Sequence, residues 1–391
     1  SHTCALLDNL AVKCWGSGLY GRTGYGDSNN RGDNAGEMGD ALSAVDLGSG
    51  RNATMIAVGS NHSCALLDNA AVKCWGRSNS GQLGYNDTVT RGDGAGEMGN
   101  ALSAISFAAG RSATAIAAGA NHTCALLDNA SVVCWGANNY GQLGDGTTSN
   151  RNEPAQVSGL TSGVVSISGG YEHTCAVMAN GEAKCWGKNG SKALGRGEAL
   201  VDNTADNYSA GNVLDVDTAL AISGERQAFC ALLFNRTVKC WGDNPNGKAS
   251  VGAVGTSGTP RLMRTGNLTS AVIEDIYAVS VGGTHICIII GLTGNVKCSG
   301  SNSSGQLGDG TTTTAAVNMV TVTDTTGSGS LTGAGADNMP PTYSSSAVNA
   351  EGTKVILTYN EVLSAAGTIP TSLFTVKVGG VTKTISSVTV N

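Results

Sequence analysis

The cysteines constrain this chain more than any other residues do. All twelve fall into six close pairs: Cys4/Cys14, Cys64/Cys74, Cys124/Cys134, Cys175/Cys185, Cys230/Cys240 and Cys287/Cys298. Each pair brackets one local pattern, seen whole in His122-Thr123-Cys124-Ala125-Leu126-Leu127-Asp128-Asn129-Ala130-Ser131-Val132-Val133-Cys134-Trp135-Gly136. Two short β-forming segments around Asp-Asn read as a hairpin. A three-residue loop around Asn129 sets the cysteines opposite each other on antiparallel strands, with Cα atoms about 4.5–5.5 Å apart, where a disulfide can close. On the chain-entropy account each bond contributes about 2–3 kcal/mol, so every hairpin is stapled independently. Six disulfides call for an oxidising compartment, which predicts an extracellular or cell-surface protein.

Consecutive first cysteines are 60, 60, 51, 55 and 57 residues apart. That period is too long for one hairpin and suits a four-stranded propeller blade. In the second copy an apolar strand, Met55-Ile56-Ala57-Val58-Gly59, precedes the hairpin, and a glycine-rich loop, Asn79-Ser80-Gly81-Gln82-Leu83-Gly84, follows it. The loop returns as Asn139-Tyr140-Gly141-Gln142-Leu143-Gly144 and Ser303-Ser304-Gly305-Gln306-Leu307-Gly308. The recurring His-x-Cys-Ala-Leu, Cys-Trp-Gly and Gly-Gln-Leu-Gly elements resemble the repeats of the regulator of chromosome condensation family. The resemblance covers about residues 1–337. It implies a β-propeller, usually of seven four-stranded blades, and a range of roles from exchange factor to inhibitor to protein-binding platform. The paired cysteines depart from the nuclear type and resemble secreted bacterial members.

The two ends bear on the blade count. Ser330-Leu331-Thr332-Gly333-Ala334-Gly335-Ala336-Asp337 is similar to Thr114-Ala115-Ile116-Ala117-Ala118-Gly119-Ala120-Asn121, yet no cysteine hairpin follows it. Ser1-His2-Thr3-Cys4 is the missing continuation, so one blade is expected to draw on both ends and close a six-bladed ring, which removes two sheet edges. A seventh blade upstream of Ser1 is the competing reading. The first two copies carry the longest loops and share Arg31-Gly32-Asp33 and Arg91-Gly92-Asp93. In a duplicated loop that tripeptide reads as a turn with a solvated ion pair sooner than as an adhesion motif. Copy five has Ala228 in place of the histidine, and copy six has Ser299 in place of the tryptophan.

Beyond Asp337 the composition changes. Residues 338–342, with Pro340 and Pro341, read as an extended linker, and 343–391 as a second all-β unit with strands near Lys354–Tyr359, Phe374–Val378 and Ser386–Val390. That stretch resembles the Ig-like β-sandwich modules of large bacterial surface proteins, and it is short for a complete sandwich.

The remaining chemistry is sparse. His2, His62, His122, His173 and His285 sit two residues before a cysteine, but each repeat offers at most three ligands and no close Cys-x-x-Cys knuckle, so packing is the expected role and no metal is predicted. Trp15, Trp75, Trp135, Trp186 and Trp241 follow the second cysteine and are expected to pack blade against blade. Asp145 and Asp309 in Gly-Asp-Gly-Thr loops read as Asx turns, because the alternating acids of a calcium loop are missing. No nucleophile elbow, phosphate loop or free thiol is present, so neither catalysis nor a cofactor is expected. With a formal charge of -6 and only 13 % charged residues, the chain lacks the basic footprint that nucleic acid requires, and no apolar run is long enough to span a bilayer. Asn-x-Ser/Thr triplets at Asn52, Asn86, Asn121, Asn207, Asn235 and Asn267 matter only in a producer that glycosylates secreted proteins, and glycan contact has no positive support. These features predict a non-catalytic extracellular structural or adhesion protein, displayed on a surface or polymerised by strand addition through the C-terminal module. The alternative is a secreted inhibitor or regulator of one protein partner.

Overall fold

A computed structural model describes residues 2–322 apart from 198–207, 245–246, 248–254, 266–268 and 292–294; beyond 322 it describes only strands at 343–348, 355–359, 376–378 and 381–383. The chain divides into two compact units, Ser1–Ala334 and Gly335–Asn391. In the first unit the strands come in repeats. β1 (His2–Leu6) and β2 (Val12–Gly16) form a two-stranded sheet, and β3 (Ala53–Val58), β4 (His62–Leu67) and β5 (Val72–Gly76) a three-stranded one. Four four-stranded sheets follow. They comprise β6 (Ala113–Ala118), β7 (His122–Leu127), β8 (Val132–Gly136) and β9 (Arg151–Gln156); β10 (Val164–Gly169), β11 (His173–Met178), β12 (Ala183–Gly187) and β13 (Gly211–Asn212); β14 (Ala219–Glu225), β15 (Ala228–Leu233), β16 (Val238–Gly242) and β17 (Ser257–Leu262); and β18 (Ile276–Val281), β19 (His285–Ile290), β20 (Asn295–Gly300) and β21 (Ala315–Thr321). Every sheet is antiparallel in chain order, and β3, β6, β10, β14 and β18 pack successively against one another as the inner strands of a propeller.

The blade count therefore differs from the six complete blades expected. Five sheets of three or four strands are formed, and the first hairpin stands as a pair because no other strand among the described residues joins it. The stretch expected to complete it, 330–337, lies outside the described residues. In the second unit β22 (Tyr343–Val348) pairs with β23 (Val355–Tyr359), and β24 (Val376–Val378) pairs with β25 (Val381–Lys383). The strand expected near Ser386–Val390 falls outside the described residues.

The recurrent Asn explains the hairpin loop. Asn129 Oδ1 accepts the Ser131 amide at 3.2 Å, and Asn9, Asn69, Asn180 and Asn235 make the same Asx contact in their copies. The chain then turns left-handed, with φ of 63° at Leu10, 62° at Ala70, 61° at Ala130 and 61° at Arg236. This closes a three-residue loop and sets each cysteine pair in register.

The long loops of copies one and two take the place of a fourth strand. In the third sheet Cys134 is paired with Ala155 of β9, but Gly16 and Gly76 form only single bridges, to Arg31 and Arg91. The outward amides of Cys14 and Cys74 are satisfied instead by the hydroxyls of Tyr25 at 3.1 Å and Tyr85 at 3.0 Å. Burial pushes the Tyr85 phenol up to about 12, so it stays a neutral hydroxyl that can both donate and accept. The sheet edge is thus closed by a side chain.

Candidate functional site: the seams between sheets and the loops of the first two repeats

All twelve cysteines form disulfides, Cys4–Cys14, Cys64–Cys74, Cys124–Cys134, Cys175–Cys185, Cys230–Cys240 and Cys287–Cys298, with Cα atoms 4.0–4.1 Å apart. The closeness follows from position: each pair is directly opposed, with backbone amides facing away from its partner, the arrangement in which Cα atoms approach most nearly.

The tryptophans and histidines meet in the seams. Trp135, fully buried, donates its indole N–H to the Gln82 carbonyl of the preceding repeat at 3.0 Å, and the Thr123 hydroxyl donates to the same oxygen at 2.9 Å. His62 Nε2 lies 2.9 Å from Thr123 Oγ1. That hydroxyl has spent its proton on Gln82, so the imidazole must donate, which fixes the Nε2–H tautomer. The unit repeats around the array. Trp75 and Ser63 converge on the Arg22 carbonyl with His2 on the serine, and Trp186 and Thr174 converge on the Gln142 carbonyl with His122 on the threonine. Trp241 donates to the Ala193 carbonyl at 2.9 Å. The Arg22, Gln82 and Gln142 carbonyls each accept two such bonds, so the glycine-rich loop is a docking socket for the next sheet.

The degenerate copies replace this chemistry in pairs, with one mismatch. Ala228 and Ile286 meet in one apolar cluster, so that seam has lost both polar members. Between the fourth and fifth sheets only one has changed. Phe229 occupies the hydroxyl position, and fully buried His173 packs edge-on against its ring at 4.9 Å with both nitrogens unpartnered. Ser299 keeps part of the tryptophan's role, its hydroxyl lying 3.3 Å from the Gly247 carbonyl. Among the described residues no socket meets the first sheet: Trp15 is half-buried and Thr3 exposed, and neither side chain has a hydrogen-bond partner there.

The seam also explains a glycine three residues before His62, His122, His173 and His285. A Cβ at Gly119 would stand 2.0 Å from His122 Cε1 and 2.5 Å from the Gly170 carbonyl, and one at Gly59 2.2 Å from His62 Cε1. Gly119→Ala is expected to lower stability to urea by about 1–3 kcal/mol through overpacking. Adding His122→Ala should recover part of that loss, whereas simple additivity would show that the ring is not the obstacle.

The Arg-Gly-Asp loops are rigid turns. Arg31 and Arg91 do carry ion pairs, but their partners are Asp27 and Asp87, at 2.8 and 2.7 Å, not the aspartates of the tripeptides. Both guanidinium groups also lie 4.3 Å over a tyrosine ring, Tyr25 or Tyr85. Glu97 Oε2 accepts the amides of Gly92, Asp93 and Gly94 at 2.9, 3.1 and 2.9 Å, and Glu37 Oε2 does the same for Gly32, Asp33 and Asn34. The Asn34 side chain and these amides hold the Glu37 carboxyl at about 2. A cleft of about 510 Å³ beside Tyr25, Asn30, Arg31, Glu37 and Leu42 therefore offers a ligand charged groups that are already engaged.

Asp145 is saturated as well, by Thr147, the buried Asn138 and Arg151. Asp309 is bonded likewise to Thr311 and Asn302. Among the described residues no group of three or more His, Cys, Asp or Glu is placed to hold a metal, and no helix is long and apolar enough to cross a membrane.

Residues 130–177 match the family described as Regulator of chromosome condensation (RCC1) repeat, and 55–82, 113–142 and 164–192 match a second description of the same repeat. These stretches resemble regulator of chromosome condensation repeats. Over 313 residues the chain is 28% identical to the ultraviolet-B receptor UVR8 of Arabidopsis thaliana, covering 79% of this chain and 65% of the receptor. Human E3 ubiquitin-protein ligase HERC2 is 30% identical over 263 residues, 66% of this chain and 5% of the ligase. The human probable E3 ubiquitin-protein ligase HERC4 is 32% identical over 198 residues, 50% of this chain and 17% of that protein. The chain thus spans less than two thirds of each. Among solved structures, Prp20p of Saccharomyces cerevisiae superposes with a TM-score of 0.66 at 18% identity, over 83% of this chain and 75% of that one. Human WBSCR16 gives 0.65 at 19%, over 83% and 80%. These likenesses bear on the propeller fold.

Proposed function

We propose that this chain is a non-catalytic protein-binding propeller that works outside the cytosol, with its contact surface on the long loops of the first two repeats. The observation that carries the reading is the division of labour in the structure. Cysteines, tryptophans and buried histidines are consumed in holding sheets together, which leaves the loops that differ between copies as the variable surface. Leu19, Met38 and Val89 expose large apolar side chains there, at 50%, 42% and 59%. Met38 and Val89 ride on turns already locked by Glu37 and the Asp87–Arg91 pair, so little ordering entropy opposes binding there. The similar Prp20p is described with binding properties to Gsp1p and histones, which supports protein recognition as a use of this fold. Six disulfides with no free cysteine support an extracellular or surface site of action.

Under this reading residues 343–391 are an Ig-like module that tethers the propeller to a surface or joins it to further modules, in the manner of bacterial surface proteins; adhesion is then its work. The test is affinity capture by the full oxidised chain from the medium and envelope fractions of its producer. One stoichiometric protein lost with Met38→Ser and Val89→Ser supports the reading. Capture unaffected by both changes moves the contact elsewhere, and recovery of the chain itself from the cytosol overturns the compartment.

A further inference from the structure

Seven arginines precede Gln156, and five of them hold an aspartate at 2.7–3.6 Å: Arg31, Arg51, Arg91, Arg111 and Arg151. Arg22 and Arg77 have no carboxylate partner among the described residues, and both stand at the seam between the first and second repeats. Arg22 is only 6% exposed. Its Nε donates to the Ser17 carbonyl at 2.8 Å, and its Nη1 to the Ser60 carbonyl at 3.0 Å and to Asn61 Oδ1 at 2.7 Å. Nη2 has no partner among the described residues and is not buried. The Arg77 amide donates to the Asn61 carbonyl at 2.9 Å, and its guanidinium lies 4.7 Å over the Tyr20 ring. A guanidinium keeps its charge at any ordinary pH, so two positive charges stand at this seam without a counter-charge.

The seam between the third and fourth repeats shows what is missing. There Lys188 lies 4.3 Å over the Tyr140 ring, its amide donates to the Glu172 carbonyl at 2.9 Å, and its ammonium pairs with the Glu172 carboxylate at 2.7 Å. Tyr20 and Tyr140, Arg77 and Lys188, and Asn61 and Glu172 hold equivalent places in their repeats. The first seam keeps the stack and the backbone bond, but a neutral amide replaces the carboxylate. A second cation, Arg22, stands where the other loops have Gln82 and Gln142. The seam between the second and third repeats has Ser80, Gln82, Asn121 and Ala137 at these places, and its Ala137 amide still donates to the Asn121 carbonyl at 2.8 Å. Docking one repeat on the next therefore requires neither the cations nor the tyrosine.

We infer that Tyr20, Arg22, Asn61 and Arg77 receive a carboxylate from a protein partner, the side chain of an aspartate or glutamate that has an apolar neighbour. The inference rests on the protein-binding reading above and names the chemistry of that partner. Glu172 sets the ligand class, because a carboxylate is what this arrangement binds where the chain supplies one itself. Arg22 and Arg77 offer charge-assisted donors. Three hydrogen bonds hold the first and the Tyr20 ring holds the second, so little side-chain freedom is lost on binding. Leu19, next to Tyr20, exposes the apolar surface that the neighbouring residue would cover. A polyanion is disfavoured by the chain's charge of -6, which still admits one acidic group.

The test is titration of the full oxidised chain with acetyl-Leu-Glu-Leu-amide and acetyl-Leu-Gln-Leu-amide, followed through the arginine Nε–H resonances. The glutamate peptide should shift the Arg22 and Arg77 signals saturably, bind about tenfold more tightly than the glutamine peptide, and leave the aspartate-paired Arg91 unmoved. Arg22→Gln and Arg77→Ala install the residues of the next seam, so the fold should stand while each weakens binding at least about fivefold. Asn61→Glu supplies the carboxylate from within, as Glu172 does, and should weaken binding about tenfold. No saturable shift, equal binding of the two peptides, or binding indifferent to all three changes overturns the inference. Inorganic phosphate bound as tightly as the glutamate peptide overturns the assignment to a carboxylate. The peptide requires no natural partner, so its failure strikes this inference and leaves the wider contact surface standing, whereas bound peptide with no protein captured from the producer strikes that surface.

Discussion

A strong reductant should unfold the propeller at neutral pH with no denaturant present. Each disulfide closes a loop with a sequence separation of 10 or 11, which on the chain-entropy account is worth about 2–3 kcal/mol, or on the order of 15 kcal/mol for six. The whole stability of a domain is about 5–15 kcal/mol, so loss of all six leaves little or none. Their accessibility predicts an order. Cys4 and Cys287 are half-buried at the two ends of the array, while both cysteines of the four internal bonds are at most 1% exposed. Thiol–disulfide exchange needs access to sulfur, so Cys4–Cys14 and Cys287–Cys298 should open first and the internal four only with unfolding. Timed alkylation and peptide mapping, run beside circular dichroism, follow both events. Retention of the native spectrum after all twelve thiols have been alkylated would show that the sheets do not depend on their staples.

Acid should weaken the oxidised protein well before its carboxylates titrate. His62, His122 and His173 are fully buried. Desolvation lowers them to about 4, 3 and 3, with His62 adding repulsion at His122, and His122 and Lys188 adding it at His173. In the unfolded chain each protonates near 6.5. Below that pH the unfolded state binds more protons, so stability is full above 6.5 and falls as pH drops toward 4. Burial lowers His2 to about 3 as well, and four such groups give a slope that approaches about 5 kcal/mol per pH unit. The Glu37 carboxylate acts lower: it stabilises above about 4.5, and its contribution is lost only as pH falls toward 2. Urea unfolding at pH 7.5, 6.5, 5.5 and 4.5 measures the slope, and a flat profile from 6.5 to 4.5 contradicts it. His173→Leu isolates the mismatch. It removes about one quarter of the slope and an unsatisfied buried imidazole, and should raise stability at pH 7.5 by about 1 kcal/mol. His122→Leu removes the same share of the slope but breaks the bond to Thr174, and should lower stability by about 1–2 kcal/mol.

What was legible in the sequence was local. The cysteine pairing, the three-residue loop around Asn129 and the strand that precedes the second hairpin follow from spacings of a few residues, and the place of Trp135 after Cys134 pointed to a packing role. The acceptor of the indole proton was not legible, because Gln82 lies 53 residues away in another repeat and contributes a backbone oxygen that any side chain would supply. Its one trace is the recurrence of the glycine-rich loop. The histidine's partner had a fainter signal: a hydroxyl residue follows His2, His62, His122 and His173, and Phe229 breaks the series beside the repeat whose histidine is orphaned. Nothing foretold that Tyr25 and Tyr85 stand in for a fourth strand, since a tyrosine eleven residues past a cysteine reads as an ordinary loop aromatic.

Everything proposed for the compartment and the rigid contact surface rests on six closed disulfides in the protein as its producer makes it. Intact mass under denaturing conditions, with alkylating agent added at lysis, measures this directly. The account predicts no alkylation before reduction, and on reduction a gain of about 12 Da, two hydrogens for each of six bonds, with twelve sites then open to alkylation. Cysteines that take up alkylating agent without reductant would contradict it.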